Sequence, residues 1–400
     1  MPVDVARVRS LFPSLSEGTA RFDGPGGSQV PAAVADAVAG ALRTGLANRG
    51  SVTTGERRAE AIVVEARQAV ADLVGGEPLG VVFGRSMTQL TFDLARTLSR
   101  SWSPGDEVVV TRLDHDANIR PWVLAAERAG ATVRWAPFDR ETGDLPVEAV
   151  TDLLSDRTRV VAVTGASNLL GTRPDVRSIA DAAHAVGALV HLDAVHLVPH
   201  APVDLAATGA DVLSCSPYKF FGPHLGAQVA SPELLEGLHP DKLLPSTDAV
   251  PERFELGTLP YELLAGTTAA VEVLADLDET ATGTRRERVL TSMAAVEQSE
   301  DALLQDLPRG LHDLDGVTVH GAPAHRTPTV LFTVDGRSPR EVHEHLATRD
   351  VNAPASHFYA LEASRWLGLG DDGGVRAGLA PYTSADDVQR LLDGVAELCR

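Results

Sequence analysis

Short apolar runs alternate with amphipathic stretches along the first two thirds of the chain. The runs are Gly80–Gly84, Glu107–Thr111, Thr132–Trp135, Arg159–Thr164, Ala188–Asp193 and Asp211–Cys215. Most have a continuous apolar centre rather than strict alternation, which predicts strands of a parallel sheet covered on both faces. Between them, Glu60–Leu73, Asn118–Ala129 and Val176–Val186 repeat apolar residues at helical spacing. This rhythm predicts a doubly wound α/β domain, whose ligands bind beyond the carboxyl ends of the strands. After residue 260 the pattern changes. Long helical segments (Tyr261–Leu277 and Thr284–Leu307) precede two short strands, near Val317–His320 and Thr329–Val334, and two more helices. We therefore expect a large α/β domain over residues 16–260 and a smaller α+β domain over 261–400 together with 1–15.

Composition narrows the function classes. The 400 residues carry a formal net charge of −20, which argues against nucleic acid as a partner because phosphate backbones need a basic face. Two cysteines, Cys215 and Cys399, are too few for a disulfide framework or a Cys-rich metal site. No apolar run reaches the roughly 20 residues of a membrane span, and MPVDVARVRS lacks the apolar stretch of a secretory signal. The expected compartment is the cytoplasm, with no membrane partner.

The candidate chemistry centres on Asp193, at the end of one apolar run, and Lys219, in a turn of small, hydroxylated and Gly/Pro residues after another. Pyridoxal phosphate (PLP) enzymes need this pair: the Lys forms the Schiff base and the carboxylate keeps the pyridine nitrogen protonated. Taken singly, Lys219 is also compatible with a surface loop and Asp193 with a cap or turn. His191, Asp193, His196 and His200 admit a metal reading. However, strand alternation puts His191 and Asp193 on one face, with the other two beyond the strand end, so no convergent set of three results.

Five segments in order resemble the class V aminotransferase and cysteine desulfurase-like family of fold-type I PLP enzymes. Asp193-Ala-Val-His196 through Ser216-Pro-Tyr218-Lys219 and Gly222-Pro223 follows the signature around the Schiff-base lysine. Asp114-His115-Asp-Ala-Asn118 is similar to the segment whose histidine stacks on the cofactor ring. Ser167-Asn168-Leu-Leu-Gly171-Thr172, Phe254-Glu255-Leu-Gly257-Thr258 and Gly374-Val-Arg376 complete the set. The resemblance implies Lys219 and His115 as catalytic residues and Arg376 as the clamp for a substrate α-carboxylate. Asn168 and His196 would meet the phenolic oxygen, although the family commonly has Gln at the latter position. The phosphate would sit on Ser86, Met87 and Thr88, at a strand-to-helix junction, with Ser216, Tyr218 and, across a homodimer, Thr258. Tyr218 stands where many relatives carry His. Without the resemblance, His115 is equally a solvated loop histidine, Arg376 an ion-pair partner and Ser86 an ordinary helix cap. Phe22–Gly27 suits either a loop that brings backbone close to substrate or a linker turn.

A cysteine desulfurase needs a mobile nucleophilic Cys. The stretch where the family carries it, Val351–Tyr359, has none; Cys399 is penultimate and Cys215 lies in a strand. The expectation is a PLP-dependent enzyme acting on an amino acid, most simply a lyase cleaving a Cβ–S or other Cβ–X bond without a persulfide. Aminotransfer or epimerisation is the alternative from the same chemistry. A PLP-binding protein with little turnover is the alternative from another class, and the carboxylate clamp argues against it.

Overall fold

The computed structural model describes residues 3–399. Its centre is a seven-stranded sheet in the spatial order Val81–Gly84, Gly226–Ala230, Val212–Cys215, Leu189–Asp193, Thr158–Thr164, Glu107–Thr111 and Thr132–Ala136. All neighbours run parallel except Gly226–Ala230, which is antiparallel to both of its own. Six of these strands coincide closely with the apolar runs. Gly226–Ala230 was not anticipated, because Gly-Ala-Gln-Val-Ala offers neither β-branched enrichment nor an apolar stretch.

The buried runs divide their side chains between two layers. Val109, Val161 and Val190 join one hydrophobic core, whereas Val108, Val110 and Val160 join another across the sheet, the period-two consequence of strand geometry. The Thr54–Val74 and Tyr261–Ala275 helices contribute Val63, Val70, Leu264 and Val271 to the first core. A capping box, Thr53 with Glu56, starts the former.

A second sheet is antiparallel throughout, in the order Ala355–Ser356, Gly374–Gly378, Thr329–Val334 and Val317–His320. Its core gathers Phe332, Val375, Leu391 and Val395, and also Ala20 and Phe22 from near the amino end. The Arg285–His312 helix bridges the two sheets: Val289 and Val296 pack in the first core, and Leu304, Leu307 and Leu311 in the second. Among the described residues, no helix is long and apolar enough to cross a membrane.

The parallel strands all end on one edge, at Gly84, Thr111, Ala136, Thr164, Asp193 and Cys215. The antiparallel strand begins at that same edge, and Gly226 lies against the start of the Met87–Leu98 helix. A Cβ there would stand 2.2 Å from both the Ser86 carbonyl carbon and the Met87 nitrogen. Gly226→Ala should therefore overpack the helix start at a cost of about 1–3 kcal/mol, seen as a lower denaturant midpoint accompanied by weaker cofactor binding.

Candidate active site

A cavity of about 670 Å³ opens at the carboxyl edge of the large sheet, against the second sheet. Of the residues nominated from sequence, Ser86, Met87, Thr88, His115, Asn168, Asp193, His196, Ser216, Tyr218, Lys219 and Arg376 all line it. Thr258 does not; it is exposed, on the strip that follows Glu255. That strip is anchored by Arg67, which grips the Glu255 carboxylate with two bonds of 3.0 and 2.9 Å, and by the Phe83 amide at 2.9 Å.

Lys219 closes a short 3₁₀ turn, Pro217–Lys219. Ser28 clasps this turn: its amide and hydroxyl donate to the Tyr218 carbonyl, and its oxygen accepts from the Phe221 amide at 2.7 Å. Phe12 packs edge-on against Phe221 and Tyr382 beneath. The Lys219 ammonium donates to the Pro25 carbonyl and lies 4.8 Å from the centre of the Tyr218 ring. The Phe22–Gly27 loop is thus drawn into the site, backbone first. His224 stacks on Tyr218 with ring centres 4.8 Å apart. Burial, and then the charge of Arg376, bring the Lys219 ammonium down to about 7, against the opposing pull of Asp193. Composition also singles this residue out: of 35 Lys and Arg residues, only Lys219 and Lys242 are lysine. Lys242 is paired with Asp248 at 3.1 Å.

Asp193 accepts from the Val195 amide at 3.0 Å, and burial raises its carboxyl to about 6. A buried polar network lies alongside. Asn118 donates its amide to Asp114 at 2.7 Å, so its oxygen is the acceptor. That oxygen receives the Trp122 indole N–H at 3.2 Å and meets His191 Nδ1 at 2.7 Å. His191 Nδ1 must therefore carry the proton, and Nε2 accepts from Ser214, 2.9 Å away. Burial holds His191 neutral, its pKa pushed to about 3. Asp114 is raised to about 8 by burial, with the charge of Asp193 adding to the effect, so two neighbouring carboxyls do not both ionise at neutral pH. The histidines of the metal reading part company: His191 joins this network, His196 meets Thr329 at 2.9 Å and His200 meets Glu300 at 2.9 Å.

His115 accepts the Ala117 amide at Nδ1, 3.0 Å away. Burial, with Lys219 and Arg376 nearby, depresses its pKa to about 3. The ring is therefore neutral with its proton on Nε2, so it can donate there but resists taking up a second proton. Arg376, from the Gly374–Gly378 strand, donates through Nη1 to the Asn168 carbonyl at 2.9 Å. Its Nε has no partner. The Nε–Nη2 edge is left for a carboxylate, the bidentate geometry that Arg offers and Lys does not.

Asn168 Oδ1 and His196 Nδ1 are likewise buried without partners. Both residues line the cavity, where a bound group can satisfy them. One amide N–H of Asn168 is already given to the Phe358 carbonyl at 3.0 Å, leaving the second. At the far end, Ser86 caps the Met87–Leu98 helix by accepting from Gln89 at 3.1 Å. The amides of Met87 and Thr88 belong to its open first turn, an anion site. The cavity thus offers an anion cradle, a buried carboxyl, a depressed lysine and a free arginine edge, the set that PLP and an amino acid require.

Sequence reading also passed over Phe358 and Tyr359. Both have left-handed backbones, φ 51° and 58°, which bulky residues adopt only when held there. The Phe358 ring lies 3.8 Å from the Arg376 guanidinium carbon, and Tyr359 stacks on His115 at 5.6 Å. This is the loop where a desulfurase would present its cysteine. Cys215 is fully buried with its thiol pushed up to about 12 by that burial.

Residues 21–391 match the Aminotransferase class-V family, and the chain belongs to that family. It is a PLP-dependent, cysteine desulfurase-like enzyme of fold type I. It is 38% identical to the uncharacterized protein MT3887 of Mycobacterium tuberculosis, over the whole of both chains. It is 32% identical to a probable cysteine desulfurase of Pseudomonas aeruginosa, covering 98% of each. The apo structure of a cysteine desulfurase from Thermococcus onnurineus superposes with a TM-score of 0.88 at 25% identity, covering 100% of this chain and 98% of the other.

The lowered Lys219 pKa carries a sign. Above about pH 7 the amine is neutral and nucleophilic. Capture of the PLP aldehyde by cofactor-free protein should accelerate through pH 7 and level off, rather than climb towards pH 10. Stopped-flow absorbance checks this, and Arg376→Gln should move the midpoint upward by removing the adjacent positive charge.

Proposed function

We propose that the chain is a homodimeric, cytoplasmic PLP-dependent lyase that cleaves a Cβ–S or similar Cβ–X bond of an amino acid without a persulfide cysteine. The observation that carries the reading is the pairing of an intact amino-acid site with the loop before Arg376. That loop turns Phe358 and Tyr359 to the cavity, while Cys215 is sealed in a strand.

When bound, PLP supplies an electron-withdrawing ring that takes up the electron pair left at the amino acid's Cα. Lys219 would hold the cofactor's aldehyde carbon until a substrate amine displaces it. Its freed amine, poised near neutrality, would then take the Cα proton. Asp193 would face the pyridine nitrogen, with Asp114 kept neutral behind it. Met87 and Thr88 amides would hold the phosphate with Ser86, Ser216 and Tyr218, and Thr258 of a second copy would complete the cradle. The second amide hydrogen of Asn168 and Nδ1 of His196 would meet the phenolic oxygen. His115 would cover the ring and offer its Nε2 proton to the departing group. Arg376 would orient the substrate through its carboxylate.

Incubation of the PLP-loaded protein with L-cysteine, cysteine S-conjugates and L-alanine should release pyruvate from a substrate with a Cβ leaving group, without converting the cofactor to its amine form. Lys219→Ala should lower that release by about 10³-fold or more. Accumulation of the amine form of the cofactor would replace the lyase with an aminotransferase.

A further inference from the structure

We propose that the substrate is a cysteine S-conjugate whose sulfur bears an uncharged aryl or bulky apolar group, received by Phe92, Phe358 and Tyr359. This deepens the lyase reading and rests on it.

The ionised groups lining the cavity are few, and each is committed. Lys219, Asp193 and Arg376 serve the cofactor and the α-carboxylate. The remaining pair, Asp116 and Arg120, neutralise each other at 3.1 Å. His115 is held neutral by burial, and the same burial drives His196 well below its ordinary pKa. No lining charge is left to recognise a charged side chain, and desolvating one without a partner is costly. What remains is mostly apolar: the three aromatic rings with Ala117, Ala166 and Val195, while the Thr164 hydroxyl donates to the Ala166 carbonyl and the Ser356 hydroxyl accepts from the Phe358 amide.

The placement of the rings assigns them to the side chain. Phe358 lies on the Arg376 guanidinium and Tyr359 on His115. Both rings thus stand beside the residues assigned to the α-carboxylate and to the departing group. The backbone that carries these two rings is pinned. The Tyr359 carbonyl accepts from the Asp116 amide at 2.7 Å, and the Phe358 carbonyl from Asn168 at 3.0 Å.

The chemistry agrees with the architecture. Without a nucleophilic Cys, sulfur must leave as the thiol itself. The Cα–H proton goes to Lys219, the Cβ–S bond breaks with its electron pair going to sulfur, and the thiolate is protonated. Hydrolysis of the remaining enamine gives pyruvate and ammonium, so that S-conjugate plus water yields thiol, pyruvate and ammonium. Arylthiols are more acidic than alkylthiols and leave with less help from an acid, which suits a neutral His115.

Titrations of the PLP-loaded protein, followed by the cofactor's visible absorbance, test this with S-phenyl-L-cysteine, L-cysteine, L-aspartate and L-alanine. S-Phenyl-L-cysteine should half-saturate at least about tenfold below the other three, the order expected for an aromatic group entering a fitted apolar site. Tyr359→Ala and Phe92→Ala should each narrow the ratio of S-phenyl-L-cysteine to L-alanine. Binding of L-alanine with no aromatic preference, or tighter binding of L-aspartate, overturns the substrate class alone. If no amino acid changes the absorbance, the enzyme reading falls and takes this inference with it. Preferential binding of S-phenyl-L-cysteine without release of benzenethiol overturns the assignment of the aryl group as leaving group.

Discussion

Desolvation of a few ionisable groups at one edge of a parallel sheet is the constraint on which the site depends. Lys219, Asp193, Asp114 and Arg376 are drawn from separate segments into one poorly hydrated region, and burial is the leading cause of every one of their shifts. Arg376 is itself depressed to about 9. The folded chain retains such groups only because each has hydrogen-bond partners or faces a space that a ligand of complementary charge fills. The burial that costs these groups their hydration therefore also tunes the site: it leaves a lysine near neutrality and a second carboxyl uncharged beside the first.

Much of this was legible in the sequence, for identifiable reasons. Strands covered on both faces announce themselves as apolar runs, so Glu107–Thr111 and the strand ending at Asp193 could be placed from their residues alone. Asp193 and Lys219 were legible because both stand just past such runs. Gly226–Ala230 was not, since Gly226 is there to let the Ser86–Met87 backbone approach, a requirement of tertiary contact rather than local preference. The Pro25 carbonyl at Lys219 and the Ser28 clasp join positions nearly 200 residues apart, which no local pattern encodes. The His191 tautomer likewise follows only from the anchoring of Asn118 by Asp114 and Trp122.

Fold and family leave the reaction open, because function lies in the site carried by the fold. The loop before Arg376 is the clearest point of divergence from desulfurase chemistry. Two aromatic residues in left-handed conformations occupy it, tied to Asp116 and Asn168, and their rings rest on the carboxylate clamp and on His115. On the proposed reading, a cofactor site of the family's kind would be joined to a substrate mouth of different character, aromatic and without a thiol.

Reductive trapping tests the central claim most directly, because the chain contains only two lysines. Borohydride treatment of the PLP-loaded protein, followed by proteolysis and mass mapping, should place a phosphopyridoxyl group on Lys219 and none on Lys242. The Lys219→Ala protein should remain unlabelled. Label on Lys242, or label that survives Lys219→Ala, would contradict the account.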